Sequence, residues 1–368
     1  MKISINGTCF NERPSGARQR FIGLLRELLL QMPESAFTLF EPRDAAISTW
    51  FGHQPNLTVR KTPLPSKGRI KRWWQGLNYW PQVFSASNPD VFEALHLPLV
   101  RPRRAKSILT IHDVRSLLPG ESPLSRRLHD SVIRNSLSRA DEVVTVSAWM
   151  REVLLSLVPD LSVSTIYNGV DPQLFATQSD DAVCAFLKRH KLPRDYILAV
   201  GHIEPRKNYS RLLMALAQLQ TSGNDFFLVI LGQDSGQLEA LRSLIHSLKL
   251  NDRVRVLSAI DDMELSLAYQ ACRLVAYPSL YEGFGIPILE AMASQRPIAL
   301  SDIPVFNEIT EAKAIYFPPT DIEAMAHALV RGMHEESARA SVVAYGLKRV
   351  DDFRFNRLAQ QMATVYRR

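Results

Sequence analysis

A chain of 368 residues and 41.6 kDa is too long for one ordinary hydrophobic core, so two domains are expected. With 46% hydrophobic and 22% charged residues it has globular composition, which excludes disordered, collagen-like and mucin-like chains. The net charge is +7, and residues 60–106 hold ten basic side chains against the acids Asp90 and Glu93, so the charge is local and suggests an anionic partner. No apolar run approaches the roughly 20 residues that span a bilayer. The first residues lack the apolar core of a signal peptide. Cys9, Cys184 and Cys272 form no Cys-x-x-Cys pair, and a cytoplasmic protein is expected.

In chain order, apolar runs predict strands at 3–6, 38–40, 91–95, 107–111 and 143–146, then at 196–200, 226–231, 254–257, 274–277 and 298–300. Several lack polar alternation, as parallel strands buried on both faces do. Helical periodicity falls between them at 17–31, 125–138, 209–220, 236–248 and 264–272. Such alternation predicts the α/β class with two doubly wound sheets. The series separate at Asn168-Gly169-Val170-Asp171-Pro172, where turn dipeptides follow the apolar run 163–167. The expected domains are 1–172 and 173–350, with a terminal amphipathic helix at 351–368. Two such sheets should leave a cleft, with ligands at the carboxyl ends of strands.

The segment from Ala199 to Asn208 follows a predicted strand and opens a helix. Gly201 allows close backbone approach, and free N–H groups at a helix start favour an anion. Arg206 and Lys207 add fixed positive charge, and an arginine can hold a phosphate through two hydrogen bonds. The segment is neither Gly-x-Gly-x-x-Gly nor a Walker loop, and an ordinary turn with a solvated Arg-Lys pair explains it equally well.

From Tyr277 to Ala293 a strand ends in a loop carrying Gly283 and Gly285, and a helix follows with Pro287 near its first turn, where proline is favoured. Glu282 and Glu290 flank the turn. A fully helical separation of eight residues would be about 12 Å, wider than the roughly 5–9.5 Å of paired glycosidase carboxylates. The spacing suits two carboxylates gripping opposite ends of a long ligand.

At this point the sequence resembles the family-4 retaining glycosyltransferases of the GT-B fold. The Glu-x7-Glu pair, Glu282 to Glu290, is that family's signature. Val200-Gly201 with Pro205-Arg206-Lys207-Asn208 resembles its phosphate loop, and Tyr167-Asn168-Gly169-Val170-Asp171 with Phe175 resembles its interdomain segment. The resemblance implies two Rossmann-like domains facing a cleft, with the terminal helix crossing back to the N-terminal domain. It implies that Glu282 contacts the sugar, that Glu290 holds the ribose, and that the backbone at Gly283, Phe284, Gly285 and Ile286 meets the diphosphate. Arg206 and Lys207, beside Gly201, would neutralise that diphosphate. In the N-terminal half, His112 in Thr110-Ile111-His112-Asp113 would stand beside the reacting sugar. Gly16 in Ser15-Gly16-Ala17 resembles the glycine loop facing the diphosphate, and His96 with Pro98 a His-x-Pro element. His202 departs from the Gly-Arg of many members, so the load on Arg206 and Lys207 rises.

No Asp-x-Asp follows a strand and no histidine pair has zinc spacing, so neither metal nor cofactor is expected. Asp180-Asp181 and Asp261-Asp262 read as helix caps. The sequons at Asn6, Asn56 and Asn208 read as chance. Lys67, Arg69, Lys71 and Arg72 stand beside Trp73, Trp74 and Trp80. That composition fits an interfacial membrane segment and equally an acceptor-side helix with buried tryptophans. Nucleic acid is not expected, since no reader module accompanies the charge.

The expected activity is therefore retaining transfer of a hexose, mannose from GDP-mannose being the first choice, to a glycan or lipid-linked acceptor in bacterial surface-polysaccharide synthesis. The expected location is cytoplasmic, peripheral on the inner face of the membrane. A nucleotide-sugar epimerase on the same fold, or a non-catalytic sugar- or membrane-binding protein, is the alternative.

Overall fold

Apolar runs of four to six residues, flanked by helices, become parallel strands buried on both faces. The computed structural model describes the whole chain except Pro14, residues 118–122 and Ala259, and also leaves out the side chains of 69–70 and 85–87. In the first sheet, β1 (Lys2–Asn6), β2 (Ala36–Glu41), β3 (Leu57–Lys61), β4 (Val91–Ala94), β5 (Lys106–Ile111), β6 (Glu142–Thr145) and β7 (Val163–Thr165) lie in the order β3-β2-β1-β4-β5-β6-β7. In the second, β8 (Tyr196–Val200), β9 (Leu228–Leu231), β10 (Val254–Leu257), β11 (Cys272–Tyr277), β12 (Ile298–Ser301) and β13 (Ile315–Phe317) lie in the order β10-β9-β8-β11-β12-β13. Neighbours are parallel throughout both sheets.

Both orders reverse once, between β1 and β4 and between β8 and β11. Ligands of doubly wound sheets bind beyond the carboxyl ends of strands at such a switch point. The loops that open after β8 and β11 carry Gly201 to Asn208 and Pro278 to Gly285, so the second switch point is where the candidate residues stand.

The chain divides into two compact units, residues 1–169 with 355–368 and residues 170–354. The boundaries thus fall a few residues from the 172/173 and 350/351 expected from turn signals. The terminal helix Phe355–Arg367 packs on helix Gly16–Gln31 because two glycines make room for one ring. A Cβ at Gly23 would stand 2.4 Å from Phe355, and one at Gly169 2.6 Å from it.

Three strands escaped the sequence reading, and each is a sheet edge. β3 is largely exposed, β7 is half-buried, and β13 has only three residues. Arg60 and Lys61 of the basic stretch belong to β3, where charge discourages pairing with a second sheet. Asp261 caps a helix by accepting from the Glu264 N–H, whereas Ser179, not Asp180, caps the helix Asp180–His190.

Candidate functional site

Lys207 is buried beside a carboxylate because Gly201 has no side chain. A Cβ on Gly201 would stand 2.7 Å from Lys207 Cε and 2.9 Å from its Nζ, and the backbone there has φ +145°, a conformation that favours glycine. Lys207 Nζ donates to Glu282 Oε1 at 2.7 Å and to the Tyr277 hydroxyl at 2.8 Å. Tyr277 and Ser279 hydroxyls donate to the same carboxylate oxygen at 3.0 and 2.8 Å. The other oxygen, Oε2, is paired with Arg206 Nη1, and Arg206 Nη2 lies 2.6 Å from Glu204 Oε1.

Burial alone would raise the Glu282 carboxyl. The charges of Lys207 and Arg206 overcome that and hold it at about 2 against an ordinary 4.5. Burial pulls the Lys207 ammonium below its ordinary value, with Glu282 opposing. The two loops are further knitted by Asn208, whose Nδ2 donates to the carbonyls of Pro278 at 3.0 Å and Pro319 at 2.7 Å. Asn208 is buried in that role, so its sequon has no surface to present.

Both oxygens of Glu282 are thus engaged by protein donors, an arrangement the sequence does not suggest. Glu282 holds the two cations in place and has no oxygen turned freely outward. Tyr277 and Ser279, which complete the cluster, were not singled out as functional in the sequence. Glu282 precedes the helix Ile286–Ala293, so the fully helical spacing of the pair does not apply. Glu290 lies inside that helix, buried, with Oε2 accepting from the Tyr269 hydroxyl at 2.7 Å. Burial, and then the charge of Glu290, push the Tyr269 hydroxyl well above its ordinary range. Gly285 opens the helix at φ +145°, and a Cβ there would meet the Phe306 ring at 3.0 Å. Gly283, Phe284 and Ile286 are buried around it.

The residues of the first unit gather at its own switch point. Gly16 begins the helix after β1, capped by Ser15, whose hydroxyl accepts from the Arg18 N–H. His96 follows β4 and lies 3.2 Å from the Thr8 hydroxyl through Nε2, and the Leu97–Pro98 peptide is cis. His112 follows β5. It shares one small cavity, about 20 Å³, with Arg20, Glu93 and Tyr366. Burial, with Arg20 adding to it, lowers the imidazole to about 3, so His112 is neutral at physiological pH.

Sequence reasoning missed the group beneath it. Glu93 accepts from Thr110 at 2.7 Å and from the Tyr366 hydroxyl at 2.5 Å. Arg20 donates to the Ile166 carbonyl at 2.8 Å and also to that of Tyr167. Burial lowers Arg20 to about 10 and raises Glu93, each opposed by its partners. The local signal was a carboxylate inside an apolar strand, which requires partners.

The basic aromatic segment is the helix Arg69–Ser87, and it is two-faced. Trp80 is 2% exposed and packs against Phe40, Phe92 and Phe84 at ring separations of 5.3–5.7 Å. Arg72 is also buried, donating to the carbonyls of Ser66 at 2.5 Å and Pro65 at 3.3 Å. Both are therefore withdrawn from the expected membrane patch, because their side chains are spent inside the fold. Lys67, Lys71, Trp73 and Trp74 are exposed, and the side chain of Arg69 lies outside the described residues. Among the described residues no helix is long and apolar enough to cross a membrane, and no cluster of three or more His, Cys, Asp or Glu could hold a metal ion.

Residues 36–174 match the family profile described as Glycosyltransferase Family 4, and residues 186–349 that of Glycosyl transferases group 1. The chain is 29% identical over 282 residues to the O-antigen chain mannosyltransferase RfbU of Salmonella typhimurium, spanning 75% of this chain and 74% of that one. It is 32% identical over 333 residues to the phosphatidyl-myo-inositol mannosyltransferase of Mycobacterium leprae, spanning 83% and 82% of the two chains. The solved structure of sucrose-phosphate synthase from Thermosynechococcus elongatus shares the fold with a TM-score of 0.81 at 20% identity, over 100% of this chain and 98% of that one.

Proposed function

The chain belongs to the family-4 glycosyltransferases of the GT-B fold, and on that premise we propose that it transfers mannose from GDP-mannose, with retention, to a glycan or lipid-linked acceptor of a bacterial surface polysaccharide. The observation that carries this reading is the Lys207–Glu282–Arg206 cluster at the β8/β11 switch point. In this reading its two fixed cations face the departing diphosphate as that gains charge, and preorganised charge of this kind is the largest single contribution in many enzymes. The departing diphosphate oxygen takes the acceptor's proton on the face it leaves, so no enzyme nucleophile is required. Glu290 takes the ribose, the backbone at 283–286 meets the diphosphate, and neutral His112 offers a hydrogen bond to the sugar. In this reading Lys207 and Arg206 supply the countercharge and no metal takes part. The exposed Lys67, Lys71, Trp73 and Trp74 support peripheral docking on an anionic membrane from the cytoplasmic side.

The test is incubation with GDP-mannose, UDP-glucose and a lipid-linked oligosaccharide acceptor, with and without a chelator, followed by NMR of the product. An α-mannosyl product that forms only with acceptor, and at the same rate with chelator, is expected. Nucleotide release that does not depend on acceptor would favour an epimerase-like enzyme, and a β-linked product would end the retaining assignment.

A further inference from the structure

At the other end of the second sheet, where β8, β11 and β12 begin, a pocket of about 210 Å³ is lined by Arg273, Arg296 and Arg339 with Asp195, Gln295 and Glu336. Arg273 stands at the start of β11, Arg296 just before β12, and Arg339 on the helix Glu336–Arg349. One water needs only about 10–15 Å³ of such space, so there is room for a polyatomic ligand.

The three guanidinium groups are short of acceptors. Arg273 spends Nε on the Met333 carbonyl at 2.7 Å, which leaves its terminal nitrogens for another partner. Arg296 makes one long bond, from Nη1 to the Cys272 carbonyl at 3.3 Å. The Nε atoms of Arg296 and Arg339 are buried without a hydrogen-bond partner, and buried N–H donors are costly to leave unmade. Although Asp195 and Glu336 line the same pocket, neither forms an ion pair with these arginines among the described residues. Three fixed cations against two acids leave an excess of positive charge, with forked donors suited to a phosphate.

We propose that this pocket binds a sugar phosphate. The guanidinium groups take the phosphate dianion, while the carboxylates of Asp195 and Glu336 and the amide of Gln295 take hydroxyl groups. Inorganic phosphate offers those three residues one or two P–OH groups at most, whereas a polyhydroxylated monoester uses both halves of the lining. The site lies at the strand starts, away from the loops that carry Lys207 and Glu282, so it is separate from the donor loops.

Isothermal titration of the full chain with mannose 6-phosphate, inorganic phosphate and mannose tests this, each with and without a saturating nucleoside diphosphate. Saturable binding of mannose 6-phosphate is expected, tighter than inorganic phosphate, undetectable for mannose, and unaffected by the nucleotide. Arg296→Gln and Arg339→Gln should each weaken it by about tenfold or more, the effect of losing a charge-assisted hydrogen bond. Ala340→Trp, which fills the pocket and keeps all three arginines, should abolish it. Competition by the nucleotide would place the phosphate in the donor loops and overturn the proposal. So would undiminished binding in Ala340→Trp, or no saturable binding up to millimolar ligand. Equal affinity for inorganic phosphate would overturn the assignment of Asp195, Glu336 and Gln295 to hydroxyl groups.

Discussion

Glu282→Gln separates a carboxylate that contacts only substrate from one that also holds the site together. In the folded protein this carboxyl titrates at about 2 against an ordinary 4.5. At 1.36 kcal/mol per pK unit, its ionised form contributes about 3 kcal/mol to folding. The contribution is complete above about pH 4.5 and is lost as pH falls toward 2. Glutamine keeps the shape and cancels the charge, leaving Lys207 buried among neutral acceptors such as the Tyr277 hydroxyl, and Arg206 with Glu204 and the Tyr281 carbonyl. Breaking a buried pair in this way costs about 3–5 kcal/mol. Urea unfolding between pH 7 and pH 2 measures both quantities. All five tryptophans lie before residue 170, in the first unit, so the transition of the second must be followed by far-ultraviolet circular dichroism. The variant should be less stable by about 3 kcal/mol at pH 7, and the two stability curves should converge as pH approaches 2. Parallel curves, or an unchanged midpoint at pH 7, would falsify the view of Glu282 as the counterion of Lys207 and Arg206.

Three further outcomes follow from the geometry. Gly201→Ala puts a Cβ where Lys207 now passes and should cost about 1–3 kcal/mol for the backbone conformation alone; it should also weaken nucleoside diphosphate binding, and calorimetry showing wild-type affinity would refute the contact. His112, lowered to about 3 by burial and Arg20, contributes to stability that is complete above its ordinary 6.5 and lost as pH falls toward 3; no inflection in kcat between pH 5 and 8 should belong to it, and one that vanishes in His112→Ala would contradict the neutral imidazole. Lys67→Gln with Lys71→Gln and Trp74→Ser should abolish sedimentation with anionic vesicles at unchanged thermal stability, while Arg72→Gln should cost about 1–3 kcal/mol of stability; the opposite pattern would return Arg72 to the membrane surface.

The two sheets were legible where burial is symmetric. β8, β9 and β11 are apolar runs with both faces covered, and their sequence shows it. β3 and β7 are edges with exposed or half-buried residues; neither a continuous apolar run nor a clean alternation marks β3, and the run 163–167 that contains β7 stands out only as the approach to a turn. The cluster around Glu282 was legible only through resemblance. Lys207 and Glu282 meet across 75 residues, and no local pattern joins them. Tyr366 reaches Glu93 across 273 residues, yet half of that contact was announced by a glutamate in the middle of Val91–Ala94.

The helix Arg69–Ser87 buries a face that its local sequence does not mark as apolar. Counting basic and aromatic residues treated Arg72, Trp73, Trp74 and Trp80 alike. The four-residue spacing of Arg72, Gly76 and Trp80 places those three on one face. That face is buried, and Gly76 has no Cβ because one would stand 3.1 Å from the Trp80 ring. Trp73, Trp74 and Leu77 fall on the other side and are 42%, 68% and 48% exposed. Composition says that the segment is basic and aromatic, and the apolar spacing of Trp73, Trp74 and Leu77 marks the face that is in fact exposed; the buried face is set by the packing of Trp80 on Phe40 and Phe92. A basic aromatic helix therefore becomes a membrane candidate only through the residues its core-facing stripe leaves over, and here those are Lys71, Trp73, Trp74 and Leu77, with Lys67 just before the helix.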